Sequence, residues 1–258
     1  MRDFARWLFR EDNTNFTIKA FDGWHFLFLF ITLATTIVLA VLFKNKAEEK
    51  RHKLLNVMAI LCIFIYIADF FLMPLCDTYG YRISYDKLPF HICTLMCSFI
   101  PFVQFNKKFV PIKGVITMLT LTSSTMWMTY PGSALNGQSP LCYSVLQTFF
   151  FHSFIFCWAF LTISFGEHKP DIKKCWGEVI GILVIMVWAT IGNTLYEGQD
   201  WFFLTGSTFP FIPKPLMPLV VLGLIFAVDI VIYGIYYSII YINQKYAIKK
   251  QNQEVLLN

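Results

Sequence analysis

Cys93 and His152 are the two side chains in this sequence best suited to covalent chemistry. A thiol attacks only as the thiolate, so it needs a base and surroundings that favour the anion. Cys93 stands in the run Leu88-Pro89-Phe90-His91-Ile92-Cys93. Proline suits the first position of a helix, where its missing N–H costs nothing. The run therefore predicts a helix opening at Pro89, with Cys93 about one turn inside. Unpaired amides and the helix dipole favour a thiolate there, and the effect fades beyond the first turn. His91 is two residues away and points to another side of a regular helix. The base is expected from a different helix, and His152 in Gln147-Thr148-Phe149-Phe150-Phe151-His152 is the natural candidate. Asp69 can orient that imidazole as a third member, or line a wet cavity.

Plainer roles compete. A buried cysteine is ordinarily an apolar filler, and a histidine within a span often ties two helices together by hydrogen bonds. Cys93 and Cys97 share a helix face and would need His152 to complete a three-ligand metal site. No motif fixes that spacing, so neither a metal nor a cofactor is expected. The seven cysteines are scattered without a C-x-x-C pair, which excludes a disulfide framework.

The elements that must position these groups are apolar runs. Of 258 residues, 57% are hydrophobic and only 14% charged, against about 25% charged in a soluble domain. Seven runs, 24–43, 54–76, 89–105, 115–130, 142–165, 177–196 and 216–243, approach or exceed the length that crosses about 30 Å of hydrocarbon. The fold class is thus an all-α polytopic membrane protein, one domain over 1–258 with seven transmembrane helices. The run 115–130 is the weakest, being short and rich in Thr and Ser, and Pro111 and Lys113 place its start after them.

Lysine and arginine decide orientation. Loops 44–53, 106–114, 166–176 and the tail 244–258 hold 14 of them, and the opposite face holds seven. The rich face is cytoplasmic, so the N-terminus lies outside and the C-terminal tail inside. The net charge of +5 is then a topology signal and does not imply a nucleic-acid partner. Segment 2–10 has Phe4, Trp7 and Leu8 at helical spacing and reads as an interfacial helix within an extracellular stretch, 1–23. Heavy use of Phe, Ile, Lys and Asn is that of an AT-rich bacterial genome, which makes the host membrane a bacterial plasma membrane.

Polar side chains in lipid are costly and mark a protein-lined or wet interior. At 1.5 Å per residue, Asn193, Cys93, Gln147 and Asp69 fall about 5, 6, 8 and 10 Å below the outer face, and His152 about 15 Å below it. Asp229 lies near the middle, as a proton site or a tie between helices. Cys93 and His152 come out about 9 Å apart along the normal. That is too far for proton transfer unless helix tilt and shifted ends close it.

Leu88-Pro89-Phe90-His91-Ile92-Cys93 resembles the L-P-x-H-x-C signature of YwaF-like integral membrane proteins, relatives of the eukaryotic transmembrane protein 164 family. Gln147 to His152 resembles that family's Q-x-F-F-x-x-H-like stretch. Gly198-Gln199-Asp200-Trp201-Phe202-Phe203-Leu204 is similar to its G-x-N-Y-x-x-L stretch, with Asp200 and Trp201 in place of asparagine and tyrosine. The resemblance implies a compact helical membrane domain. From the eukaryotic branch it implies acyl transfer between phospholipids, with Cys93 as acyl acceptor and His152 as base. The reading is a lipid acyltransferase or transacylase in the outer leaflet, acting on phospholipids and lysophospholipids, with His91, Asp69, Gln147, Asn193 and Asp200 in support. Gln147 and Asn193 would hydrogen-bond the developing oxyanion. The rival is a non-enzymatic protein that binds or transports a small solute through the same outer pocket, for which Asp69 and Asp229 matter more than Cys93.

Overall fold

The structure is a computed structural model and describes residues 8–9, 17–76, 85–130, 138–204 and 212–256, without the side chains of Asp86 and 247–256. Most of the expected interfacial helix at 2–10 lies outside the described residues. Seven long helices follow in order: α1 Gly23–Phe43, α2 Glu48–Leu72, α3 Ile92–Phe105, α4 Val110–Thr129, α5 Tyr143–Ser164, α6 Trp176–Leu195 and α7 Met217–Leu256. Between them run short 3-10 turns and, among the described residues, no strand.

Five of the seven helices, α1, α2, α5, α6 and α7, are long and apolar enough to cross a membrane. The outer faces of α1, α2, α6 and α7 carry bare hydrocarbon, with Phe30, Phe64, Phe71, Val187, Leu195 and Ile230 each more than 60% exposed. Exposed apolar area on that scale is a lipid-facing surface. This is a multi-pass membrane protein.

Of the other two, α3 is short and keeps Phe102 and Phe105 exposed, whereas the middle of α4 is enclosed. α4 packs against α3, α5, α6 and α7, and every residue from Ile116 to Ser124 is buried. Its polar run survives because it faces protein. Hydroxyls of Thr117, Thr120 and Ser124 donate to carbonyls one turn back, Lys113, Ile116 and Thr120, at 2.8, 2.6 and 2.6 Å, which satisfies them without any partner from lipid. α4 also begins five residues earlier than the sequence predicts. Pro111 sits in its first turn, where no N–H is needed. Lys113 is buried because Glu167 takes its charge and Gln104 accepts at 3.1 Å.

α3 has only 14 residues, about 21 Å of helix against the roughly 30 Å of a full crossing. The expected opening at Pro89 is overturned. Residues 88–91 form an irregular turn, half-buried apart from the buried Phe90, and His91 caps a helix that starts at Ile92. The turn is held by Tyr66, whose hydroxyl donates to the Lys87 carbonyl at 2.8 Å, and by Trp188, whose indole N–H donates to the Pro89 carbonyl at 2.8 Å.

Candidate functional site

The late start of α3 changes the position of the thiol. Cys93 is the second residue of the helix, inside its first turn, where the dipole and unpaired amides are strongest. The first intrahelical bond runs from the Leu95 N–H to the His91 carbonyl at 2.9 Å. The amides of Ile92, Cys93 and Thr94 therefore lack partners within the helix.

Central α4 relates the thiol to the imidazole. The Ser123 hydroxyl, which donates to the Thr120 carbonyl at 3.2 Å, lies close enough to the half-buried Cys93 thiol to act on it. One turn further along α4, Trp127 stacks flat on His152, with ring centroids 3.9 Å apart and an interplanar angle of 8°. Ser123 and Trp127 are four residues apart on one helix face, so α4 contacts the two groups at heights about 6 Å apart along its axis. Cys93 and His152 are not hydrogen-bonded to each other.

His152 is 7% exposed. Its Nδ1 lies 2.7 Å from the Thr148 carbonyl. A carbonyl only accepts, so that nitrogen carries the proton and Nε2 is left with its lone pair. No hydrogen bond to Nε2 is present among the described residues. Phe151 closes the other side edge-on at 4.9 Å. Lys87 lies close enough for its charge to act on the ring.

The supporting residues divide. Asp69 does not orient His152: its carboxylate pairs with Lys87 at 3.3 Å and accepts from the Tyr143 hydroxyl at 3.3 Å. Asn193 is not aimed at a carbonyl to be attacked, since both its polar atoms grip the Trp201 backbone, accepting from the amide at 2.8 Å and donating to the carbonyl at 3.0 Å. Gln147 is buried and accepts from the Thr148 hydroxyl at 3.3 Å. Its amide nitrogen makes no hydrogen bond among the described residues and can donate. His91 accepts from the Phe202 amide through Nδ1 at 3.3 Å, and Asp200 caps the turn that presents this amide, its carbonyl accepting from Phe203 at 3.1 Å.

That turn is strained. Phe202 and Phe203 have φ of 63° and 54°, a left-handed conformation that costs an ordinary residue about 1–2 kcal/mol. Packing holds it there. Phe90 and Trp201 meet with centroids 4.6 Å apart, and Phe90 stacks on Trp188 at 5.0 Å. The segments around Cys93 and Asp200 are thus one packed unit.

Ser123, Trp127 and Lys87 are absent from the sequence-based set. The Thr- and Ser-rich stretch of α4 was the one available signal, a helix too polar for lipid. His25, also absent from that set, is buried with both ring nitrogens occupied, one by the Phe21 amide at 3.0 Å and one by the Met128 carbonyl at 2.8 Å. It is structural.

The model of the TMEM164 family matches residues 20–236 of this chain, which takes in α1 to α6, the first half of α7 and every residue of the site just described. No curated protein and no solved structure matches it.

Proposed function

The chain belongs to the TMEM164 family, and from that premise we propose that it is a membrane-embedded lipid acyltransferase or transacylase, with Cys93 as acyl acceptor and His152 as base. In this reading the bundle crosses a bacterial plasma membrane seven times, N-terminus outside and C-terminus inside. α4 is the crossing whose middle the others enclose. Cys93 then opens toward the outer leaflet, where phospholipid esters are the donors and lysophospholipid hydroxyls the acceptors.

His152 Nε2 takes the Cys93 proton, and the thiolate sulfur attacks the ester carbonyl carbon. The amides at the start of α3 and the Gln147 amide group stabilise the oxyanion as charge develops. The bond from carbon to the glycerol oxygen breaks, and the imidazolium returns its proton to that oxygen. A lysolipid leaves, and the acyl group stays on sulfur as a thioester. In the second half a lysolipid hydroxyl gives its proton to His152 and attacks the thioester. The new ester leaves, and sulfur regains the proton. No net proton, metal or cofactor is consumed. Two lipids rarely present their reacting groups together, and the thioester removes that requirement.

The observation that carries the reading is the Thr148 carbonyl on His152 Nδ1. It fixes the tautomer that leaves Nε2 as a base, one helical turn along α4 from the hydroxyl at Cys93. Intact mass analysis of the purified chain, with and without neutral hydroxylamine, tests it. The expected result is an acyl-sized, hydroxylamine-labile adduct that Cys93→Ser abolishes. A chain that never carries the adduct, with lipid remodelling unchanged in Cys93→Ser, returns the solute-binding reading.

A further inference from the structure

Buried carboxyl groups also occur away from the thiol, where α4, α6 and α7 meet. Glu178, the third residue of α6, and Asp229, in the interior of α7, are each 6% exposed. The Tyr233 hydroxyl, one turn below Asp229 on α7, donates to Glu178 Oε1 at 2.7 Å. Thr122 of α4 donates to Asp229 Oδ1. The two carboxyls are close enough to act on each other electrostatically, and Cys175 is the further titratable group facing Tyr233. No lysine, arginine or histidine pairs with either carboxyl among the described residues. Glu178 Oε2 is fully enclosed and has no hydrogen-bond partner among the described residues.

An ionised carboxylate withdrawn from water without a cation costs several kcal/mol. Two of them side by side cost more, and such a group takes up a proton instead. Both hydroxyls here act as donors, each to one oxygen, so neither supplies positive charge. The oxygen left without a partner is the one that a bound proton would neutralise. A role as a tie between helices accounts for Glu178 Oε1 and Asp229 Oδ1, which take the two hydroxyl contacts, but not for the enclosed Oε2.

We propose that Glu178 and Asp229 form a proton-binding site within the membrane-embedded part of the bundle, holding at least one proton at neutral pH. The site is separate from the acyl reading, whose reaction consumes no net proton. It would stand if Cys93 carried no acyl group.

Infrared spectroscopy of the purified full chain in nanodiscs tests the site. At neutral pH the wild type should show a protonated-carboxyl C=O stretch that shifts in deuterium oxide and is lost reversibly at high pH. The band should weaken in Glu178→Gln or Asp229→Asn and vanish in the double variant. Its absence from the wild type, or its survival intact in the double variant, overturns the proposal. Should the variants not fold, titration of the wild type decides, since two ionised carboxylates give no such band at any pH above neutral. A sodium-dependent rise in Tm without the band would assign the oxygens to a metal cation and equally overturn the proton site.

Discussion

At the scale of single residues, the two groups proposed to act in acyl transfer owe their states to backbone more than to charged partners. The Thr148 carbonyl fixes the His152 tautomer, a role often taken by a carboxylate, while Asp69 is committed to Lys87 and Tyr143. These assignments separate in two variants. His152→Gln should slow formation of the Cys93 adduct by about 10²–10⁴-fold, the usual contribution of a positioned base, with little change in Tm. Asp69→Asn should leave the adduct rate within about tenfold while lowering stability by about 3 kcal/mol, because it strips the partner from a largely buried Lys87. Single-turnover mass analysis and thermal unfolding of the two proteins distinguish them. Equal losses of adduct in both would put Asp69 back beside the imidazole.

At the scale of elements, the start of α3 depends on a close approach. A Cβ on Gly192 would lie 2.5 Å from Phe90 Cδ1 and 2.9 Å from Trp201 Cε3, and both rings are locked in the aromatic cluster. Gly192→Ala should therefore push the turn before Cys93 out of place, lowering stability by about 1–3 kcal/mol, as overpacking does, and reducing adduct formation with it. Gly223 in α7 has nothing within 4 Å of its Cβ position. Gly223→Ala should be neutral or stabilising by up to about 1 kcal/mol, the helix-propensity difference. Paired Tm measurements check both signs. The number and order of the long helices were legible because apolar length is a one-dimensional property. The site was legible only as far as its motifs. Cys93 and His152 stand in short, distinctive runs, whereas Ser123 and Trp127 are defined by how α4 is rotated and how high it sits, which one sequence does not encode in any local pattern. Pro111 and Lys113 misled for a related reason. Each breaks an apolar run on paper, and each is accommodated by a neighbour, a first helical turn for the proline and Glu167 for the lysine.

At the scale of the whole molecule, one polar network ties together parts distant in sequence at the end of the bundle opposite the thiol. Glu167, just past α5, meets Lys113 of α4 and His52 of α2, the latter at 3.0 Å. Gln104 of α3 joins by accepting from Lys113 at 3.1 Å and donating to Asn56 of α2 at 2.8 Å. Four of the seven helices are latched here, with His168 wedged against Gly114. Burial pushes the Glu167 carboxyl up, but hydrogen bonds from Lys113 and His52, and then their charges, outweigh it and hold the carboxyl below its ordinary 4.5. Burial, then the nearby Lys113 charge, hold the His168 imidazole below its ordinary 6.5. For both groups the unfolded chain binds protons more readily than the folded one, so both make stability fall on acidification. His168 acts first, as pH drops below about 6.5, and its effect levels off below the folded value. Glu167 contributes fully above about 4.5 and loses that contribution as pH falls through its depressed folded value. Tm of the wild type should thus decline in two stages between neutral and acid pH. His168→Gln should flatten the upper stage and Glu167→Gln the lower, each leaving the other in place. A wild-type Tm that is level from neutral pH down to about 5 would mean that the imidazole is not held neutral by its surroundings and that the latch involves it only as packing.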